Sequence, residues 1–307
     1  MRAILLIVAI LAIVAAPMAA PWLQFVLTMA IAKGLAALGV AVLLRAGMIS
    51  IGHAMSFAAS AYGVAFLARG GISDFGVLLV LSVVVTGLAG AVVGAFLIRY
   101  RAIFFAMLNL AVSMVFYALF AKLYGLTGGT DGMTIPVPTV FGVVLSEPTF
   151  KAVLFYGSVA LMLLVGLAVH RYLDSPLGHA LSAVHTNEVR LEYLGVPVWA
   201  VLLVAYIVSA VLAGMGGAIA GFAIGRVVPD FAFWTASGHL VLVAVLGGIG
   251  GVPGAFIGAF FLELLHTEAA AFTDAWNLIV GAALIGVIMF LPKGLYGLLT
   301  RSEVPAK

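Results

Sequence analysis

The sequence predicts an all-α, polytopic membrane protein, and three observations predict it. Of its 307 residues, 65% are hydrophobic and only 8% charged, with a mean hydropathy of +1.30. The apolar residues gather in repeated runs of about 20, the helical length that crosses a hydrocarbon core of ~30 Å. The runs lack the alternation of a transmembrane strand, so a β-barrel is not expected. The net charge of +3 suits basic residues at membrane edges and calls for no nucleic-acid partner. With no cysteine, disulfides and thiolate metal or redox chemistry are unavailable. About eight spans are expected, plus one broken or re-entrant glycine-rich segment, in a single domain over residues 1–307.

Taken in order, Met1–Ala20 reads as an uncleaved first helix, because more apolar sequence follows it directly. Trp22–Leu44 is the second span. Lys33 lies near its middle, where a charge needs a cavity, a partner or a re-entrant stretch beside it. Gly47–Tyr62 opens the third span with Ser50, His53, Ser56 and Ser60 about one turn apart. That is a polar seam suited either to helix packing or to a polar solute path. Gly76–Ile98 is the fourth span. The fifth begins near Ile103 and carries Asn109 and Ser113, which need polar company away from lipid. Gly125–Thr149 is loop-like, and Lys151–Val169 is the sixth span.

His170–Ala200 stands apart as a long polar stretch. Ser175 is placed to cap a helix that Pro176 begins, and Gly195 followed by Pro197 ends it, with Gly195 expected at positive φ. Between them Leu177, Leu181, Val184, Leu191 and Leu194 recur at helical spacing, and Glu188 interrupts the stripe. A capped, half-polar helix between two spans is either a solvated connection or a docking element. The seventh span is Trp199–Ala223, and an aromatic segment over Pro229–Ser237 suits an interface. In His239–Leu265, Gly247, Gly248, Gly250, Gly251 and Pro253 divide the run into halves, each read as too short to span alone. Trp276–Leu291 is the last span.

Positive charge distinguishes one kinked span from a hairpin at Gly247–Pro253. With a hairpin and a cytoplasmic N-terminus, Arg2, Arg45, Arg99, Arg101, Arg171, Arg190, Lys293, Arg301 and Lys307 are cytoplasmic, nine against four (Arg69, Lys122, Lys151, Arg226). A full span reverses the balance to six against seven. The hairpin obeys the positive-inside rule and puts His170–Ala200 in the cytoplasm. Ser50, His53, Ser56, Asn109, Ser113, Gly247, Gly248, Gly250 and Gly251 are therefore the candidate lining of a solute path, since irregular backbone at membrane depth must be covered by protein or face a water-filled cavity.

Enzyme chemistry finds no support. No G-x-x-x-x-G-K-[ST], H-E-x-x-H or G-x-S-x-G occurs, and the six histidines are scattered. An ion-coupled carrier needs embedded carboxylates, yet the acids fall mostly in loops, with Glu263 and Glu268 placed near a helix end.

Five segments in order, GMISIGHA (Gly47–Ala54), LTGGTDGM (Leu126–Met133), SPLGHAL…NE…LGV (Ser175–Val196), VLGGIGGVPGAFIGA (Val245–Ala259) and MFLPKGLYGLL (Met289–Leu299), resemble the permease family of branched-chain amino-acid-type ABC importers, in particular its LivM-like half. The resemblance implies a multi-pass permease subunit of the bacterial inner membrane, paired with a second homologous permease. It implies cytoplasmic ATPase subunits that bind the ATP, an external solute-binding protein, and no cofactor or metal on this chain. Asp174–Pro197 becomes the coupling helix, with Ser175, Pro176, Gly178, Leu181, Asn187, Glu188, Leu194 and Gly195 as its candidate coupling residues. Branched-chain amino acids are the implied solute; related systems carry urea, short amides and other amino or carboxylic acids. Two departures stand out: family members usually carry Gln where Met48 stands, and often arginines near His179, Ser182 and His185.

Overall fold

One helix organises the packing. In the computed structural model, which describes residues 12–17, 20–248, 250–273, 275–291 and 294–299, α1 (Trp22–Leu44) is buried at every position from Val26 to Leu43 except Lys33. A helix that is apolar all round belongs in the interior, and α1 is covered by most of the helices that follow. The next elements are α2 (Ala54–Arg69), α3 (Phe75–Leu97) and α4 (Ala102–Lys122). A two-residue strand, β1 (Met133–Thr134), α5 (Glu147–Leu173), α6 (Pro176–Tyr193) and α7 (Val198–Ile224) come after them. The chain closes with β2 (Arg226–Val227), α8 (Trp234–Gly247), α9 (Val252–Phe272), α10 (Trp276–Phe290) and α11 (Gly294–Leu299).

Among the described residues, six helices, α1, α3, α4, α5, α7 and α9, are long and apolar enough to cross a membrane. The expectation for Met1–Ala20 is met only by a helical stretch at 12–17, the rest lying outside the described residues. Close packing depends on small residues. Adjacent glycines on α7 admit two neighbours at once: a Cβ at Gly216 would lie 2.2 Å from the Ala32 carbonyl oxygen of α1, and one at Gly217 1.9 Å from that of Phe57 in α2. Without a hydrophobic force between helices in lipid, such backbone approach is what holds them together. By contrast α3 and α4 turn large apolar side chains outward, including Leu88, Val92, Phe104 and Met107.

Two sequence expectations change here. The polar seam does not lie on one helix, because residues 48–53 are not helical and α2 begins only at Ala54. Gly47 turns the chain at φ +73°, and the tight approach of Gly52 to Asn109, where a Cβ would lie 2.1 Å from the backbone oxygen, holds the segment inside the bundle. The amide this leaves without a helical partner at the start of α2 is satisfied by Ser237 Oγ of α8, which accepts from Ala54 N–H at 2.9 Å.

The glycine-rich segment is a hairpin. Positions 243 and 258 approach, as do 247 and 254, which is antiparallel pairing: a Cβ at Gly258 would lie 2.3 Å from the Val243 oxygen, and one at Gly247 1.9 Å from the Gly254 oxygen. Its second arm is longer than the sequence suggested, since α9 continues to Phe272 and has spanning length. At the opposite end of the molecule from α6, β1 and β2 pair antiparallel, Met133 with Val227 and Thr134 with Arg226. Pro229–Ala232 then re-enters the bundle as a single tight turn. The aromatic segment around it is only partly interfacial: Trp234 is exposed, but Phe231 packs on Phe57 and Phe233 on Tyr117.

Candidate translocation and coupling sites

The interior polar residues form a directed chain of hydrogen bonds. Asn109 Nδ2 of α4 donates to Ser50 Oγ at 2.8 Å, and Ser50 lies 3.2 Å from His53 Nδ1. His53 Nε2 faces the Ser209 carbonyl at 3.1 Å, and Ser209 Oγ donates to the Gly39 carbonyl at 2.6 Å. Ser50, having accepted from Asn109, has its proton free for Nδ1; Nε2 then carries the ring proton and donates to Ser209. Tyr206 closes the far end, its hydroxyl 3.5 Å from Asn109 Oδ1. The chain thus joins α4, the 48–53 segment, α7 and α1, and Ser50, His53, Asn109 and Ser209 are at most 3% exposed.

The structure brings some candidates together and separates others. Ser50, His53 and Asn109 share this network. Ser113, one turn further along α4, instead donates to the Ala232 carbonyl at 2.9 Å. Ser56 borders a small cleft with Thr86, Gly90 and Phe116. Ser60 donates to Ser82 of α3. Gly247 and Gly248 lie in the hairpin turn, where they meet Gly254, Gly258 and Gly294, and Gly250 and Gly251 face Tyr296. Ile249, between them, lies outside the described residues.

At the other site, α6 has the predicted caps. Ser175 Oγ accepts from Gly178 N–H at 3.3 Å, and Pro176 occupies the first turn. Gly178 fits because a Cβ there would lie 2.3 Å from the Leu173 oxygen. Gly195 has φ +80°; Val196 N–H donates to the Leu191 carbonyl and Gly195 N–H to that of Glu192, the paired bonds of a Schellman stop. The helix between is not continuous, however. Asn187 has φ −163° and ψ 99°, and its Oδ1 accepts from Arg190 N–H at 2.9 Å, so it caps a second short helix. Leu181, Val184 and Leu191 are buried, whereas Leu177, Val189, Tyr193 and Leu194 are exposed.

Glu188 follows this break, and its partner lies within the chain. Arg101, between α3 and α4, donates from Nη2 to Oε1 at 2.6 Å and from Nε to Oε2 at 2.9 Å, the two-pronged geometry specific to guanidinium and carboxylate. These hydrogen bonds hold the Glu188 carboxyl below the usual carboxylate range, against partial burial that pushes it up. Further along, His185 sits directly on Gly47, where a Cβ would lie 2.4 Å from Nδ1. Asp174 interacts electrostatically with Arg45. The helix therefore rests on two loops, 45–47 and 99–101, that lead into the bundle.

A family model described as the permease component of the branched-chain amino acid transport system matches residues 22–291. The chain belongs to this family. It is a transport permease, not an enzyme, and a multi-pass protein of the bacterial inner membrane. Among its relatives is the high-affinity branched-chain amino acid permease protein LivM of Salmonella typhimurium, 26% identical over 85% of this chain and 66% of the relative. LivM of Escherichia coli K12 is 24% identical over the same shares, and LivH of that strain is 30% identical over 52% of this chain and 50% of its own. The chain thus spans about two thirds of the length of the LivM proteins it matches. No solved structure matches it.

At Met48 and His179, where the resemblance led to other residues being expected, the structure shows the local surroundings. Met48 is 1% exposed in the apolar core, a place where an amide would need partners of its own. His179 Nδ1 lies 2.8 Å from the Ser175 carbonyl, which ties it back onto its own helix. Sequence reasoning missed Ser209, Tyr206, Ser237 and Arg101, because each finds its partner across the bundle. It also misplaced Glu263. This residue lies in the middle of α9, 6% exposed, and accepts from Lys33 Nζ at 2.6 Å, so an embedded carboxylate does exist and supplies the partner Lys33 requires.

Proposed function

We propose that this chain is the transmembrane permease of an ATP-driven importer that moves branched-chain amino acids into the cytoplasm. In this reading it pairs with a second homologous permease, an external binding protein delivers the solute, and ATPase subunits dock on α6. The observation that carries it is α6 itself. This helix is capped at both ends, anchored by buried Leu181, Val184 and Leu191, and displays Leu177, Val189, Tyr193 and Leu194 outward. Exposed apolar residues beside Glu188 and Arg190 suit a protein partner better than plain solvent. The names of the LivM and LivH relatives support both the solute class and the pairing with another permease. The Ser50–His53–Asn109 network and the glycine hairpin then stand beside the solute path.

Co-purification with neighbouring subunits and uptake assays in proteoliposomes test this reading. Leucine, isoleucine or valine should accumulate only with ATP inside and binding protein outside. The buried Glu263 also meets the first requirement of an ion-coupled carrier. Uptake that collapses with the ion gradient while ATP is maintained would favour that alternative. Accumulation of urea or a short amide, with no amino acid moved, would change the solute and leave the mechanism in place.

A further inference from the structure

Lys33 is the single residue between Val26 and Leu43 of α1 that is not buried. Its side chain keeps 31% exposure, while that of Glu263, 2.6 Å away, keeps 8%. His239 of α8 and His266 of α9 lie close enough to interact electrostatically with both. Among the described residues no three His, Cys, Asp or Glu side chains are grouped to hold a metal ion. Packing alone explains such a pair poorly, because charges at membrane depth are costly and well-packed apolar residues replace buried pairs without loss of stability.

We propose that Lys33 and Glu263 form a binding station for the two charged ends of an α-amino acid zwitterion, with its carboxylate on Lys33 and its ammonium on Glu263. This rests on the amino-acid reading above. Charge complementarity carries it: the entering solute exchanges one ion pair for two, with the net charge unchanged and no proton moved. Unequal exposure gives the order. The lysine, reached first, takes the carboxylate and frees the deeper glutamate for the ammonium. Urea and simple amides have neither end and would gain nothing there. The solute's side chain remains free, so the station reads the amino-acid class and leaves the branched chain to be recognised elsewhere.

The whole complex, reconstituted in proteoliposomes with its binding protein and given L-leucine, tests this. Two double variants are compared with the parent: the neutral Lys33→Met with Glu263→Gln, and the exchanged Lys33→Glu with Glu263→Lys. The neutral pair should assemble and keep ATP hydrolysis stimulated by loaded binding protein, yet lose leucine uptake by about tenfold or more. The exchanged pair should stay equally poor, since the zwitterion would have to enter reversed. Parental uptake in the neutral variant, or recovery in the exchanged one, would show a structural ion pair and overturn the proposal. Equal loss of hydrolysis and uptake would assign the pair to coupling, and failure of both variants to assemble would assign it to folding; either overturns it. A parent complex that moves no amino acid overturns the amino-acid reading together with the station. A leucine-transporting parent matched by its neutral variant overturns the station alone.

Discussion

His53 is a buried ring with a partner on each nitrogen, Ser50 on one side and Ser209 on the other. Truncating it strands both, and a buried polar group left alone costs ~1–3 kcal/mol. His53→Ala should therefore destabilise the permease by roughly 2–5 kcal/mol, the vacated space adding to the loss. His53→Gln, able to keep one contact, should fall between; thermal melting of the purified protein ranks the three. The Glu188–Arg101 contact is weaker, because both side chains are about a third exposed. Glu188→Gln should loosen residues 188–193 by about 0.5–1 kcal/mol at neutral pH. Its pH dependence has a fixed sign. The folded carboxyl lies below its ordinary value, so the stabilisation is complete above the ordinary range and vanishes as pH falls through the folded value. Amide exchange should separate parent and variant at neutral pH and show them converging in acid. An equal gap at both pH values would mean that the charge of Glu188 is not what holds it. Ser50 and His53, three residues apart, were read together in the sequence. The long-range partners were not legible, since His53 and Ser209 stand 156 residues apart, Arg101 and Glu188 87, and Lys33 and Glu263 230.

Helices, by contrast, were legible wherever local chemistry decides them. Ser175, Pro176 and Gly195 mark the ends of α6 because caps depend on neighbours in sequence. The interruption at Asn187 was not, because Leu181, Val184 and Leu191 keep helical spacing across it. Asn187→Ala removes a cap worth about 1 kcal/mol, and the second short helix should lose protection in hydrogen exchange while Pro176–Thr186 keeps it. Gly195→Val forces a β-branched residue to φ +80° and should reduce association with the ATPase subunits, the protein remaining in the membrane. The hairpin makes a sharper case. Gly258→Val drives a Cβ into backbone at 2.3 Å, whereas nothing lies within 4 Å of a Cβ at Gly281 of α10. Assembly should fail for the first and survive Gly281→Ala; equal tolerance would mean that α8 and α9 do not pack as described.

At the scale of the whole molecule, four of the basic residues sort to two ends of the bundle. Arg45 and Arg101 interact with α6 or its flank, while Arg69 and Arg226 bind loop carbonyls of Leu126 and Asp131 at the other end. Arg2, Lys293, Arg301 and Lys307 lie outside the described residues. The chain has no native cysteine, so single cysteines at Ser182 and Thr130, both exposed, report without background. They should label from opposite faces of the membrane. Labelling of both from one face would remove α6 from the cytoplasm and with it the docking site. Composition alone predicted a helical membrane bundle. It did not predict that α2 begins inside the protein, because glycine and serine at 47–53 permit either a helix or a bend until Asn109 and Ser209 supply partners.

The seat of His185 on Gly47 has a mechanical consequence. Residues 48–53 run from that seat directly to the His53 ring, a strand of chain no longer than about 20 Å. If α6 docks on the ATPase subunits as proposed, this segment links the docking helix to the hydrogen bonds of His53, and added length there would absorb its movement. One glycine inserted between Gly47 and Met48 should leave the bundle, its partners and its ATPase rate in place while the machine idles, hydrolysing ATP with no solute crossing.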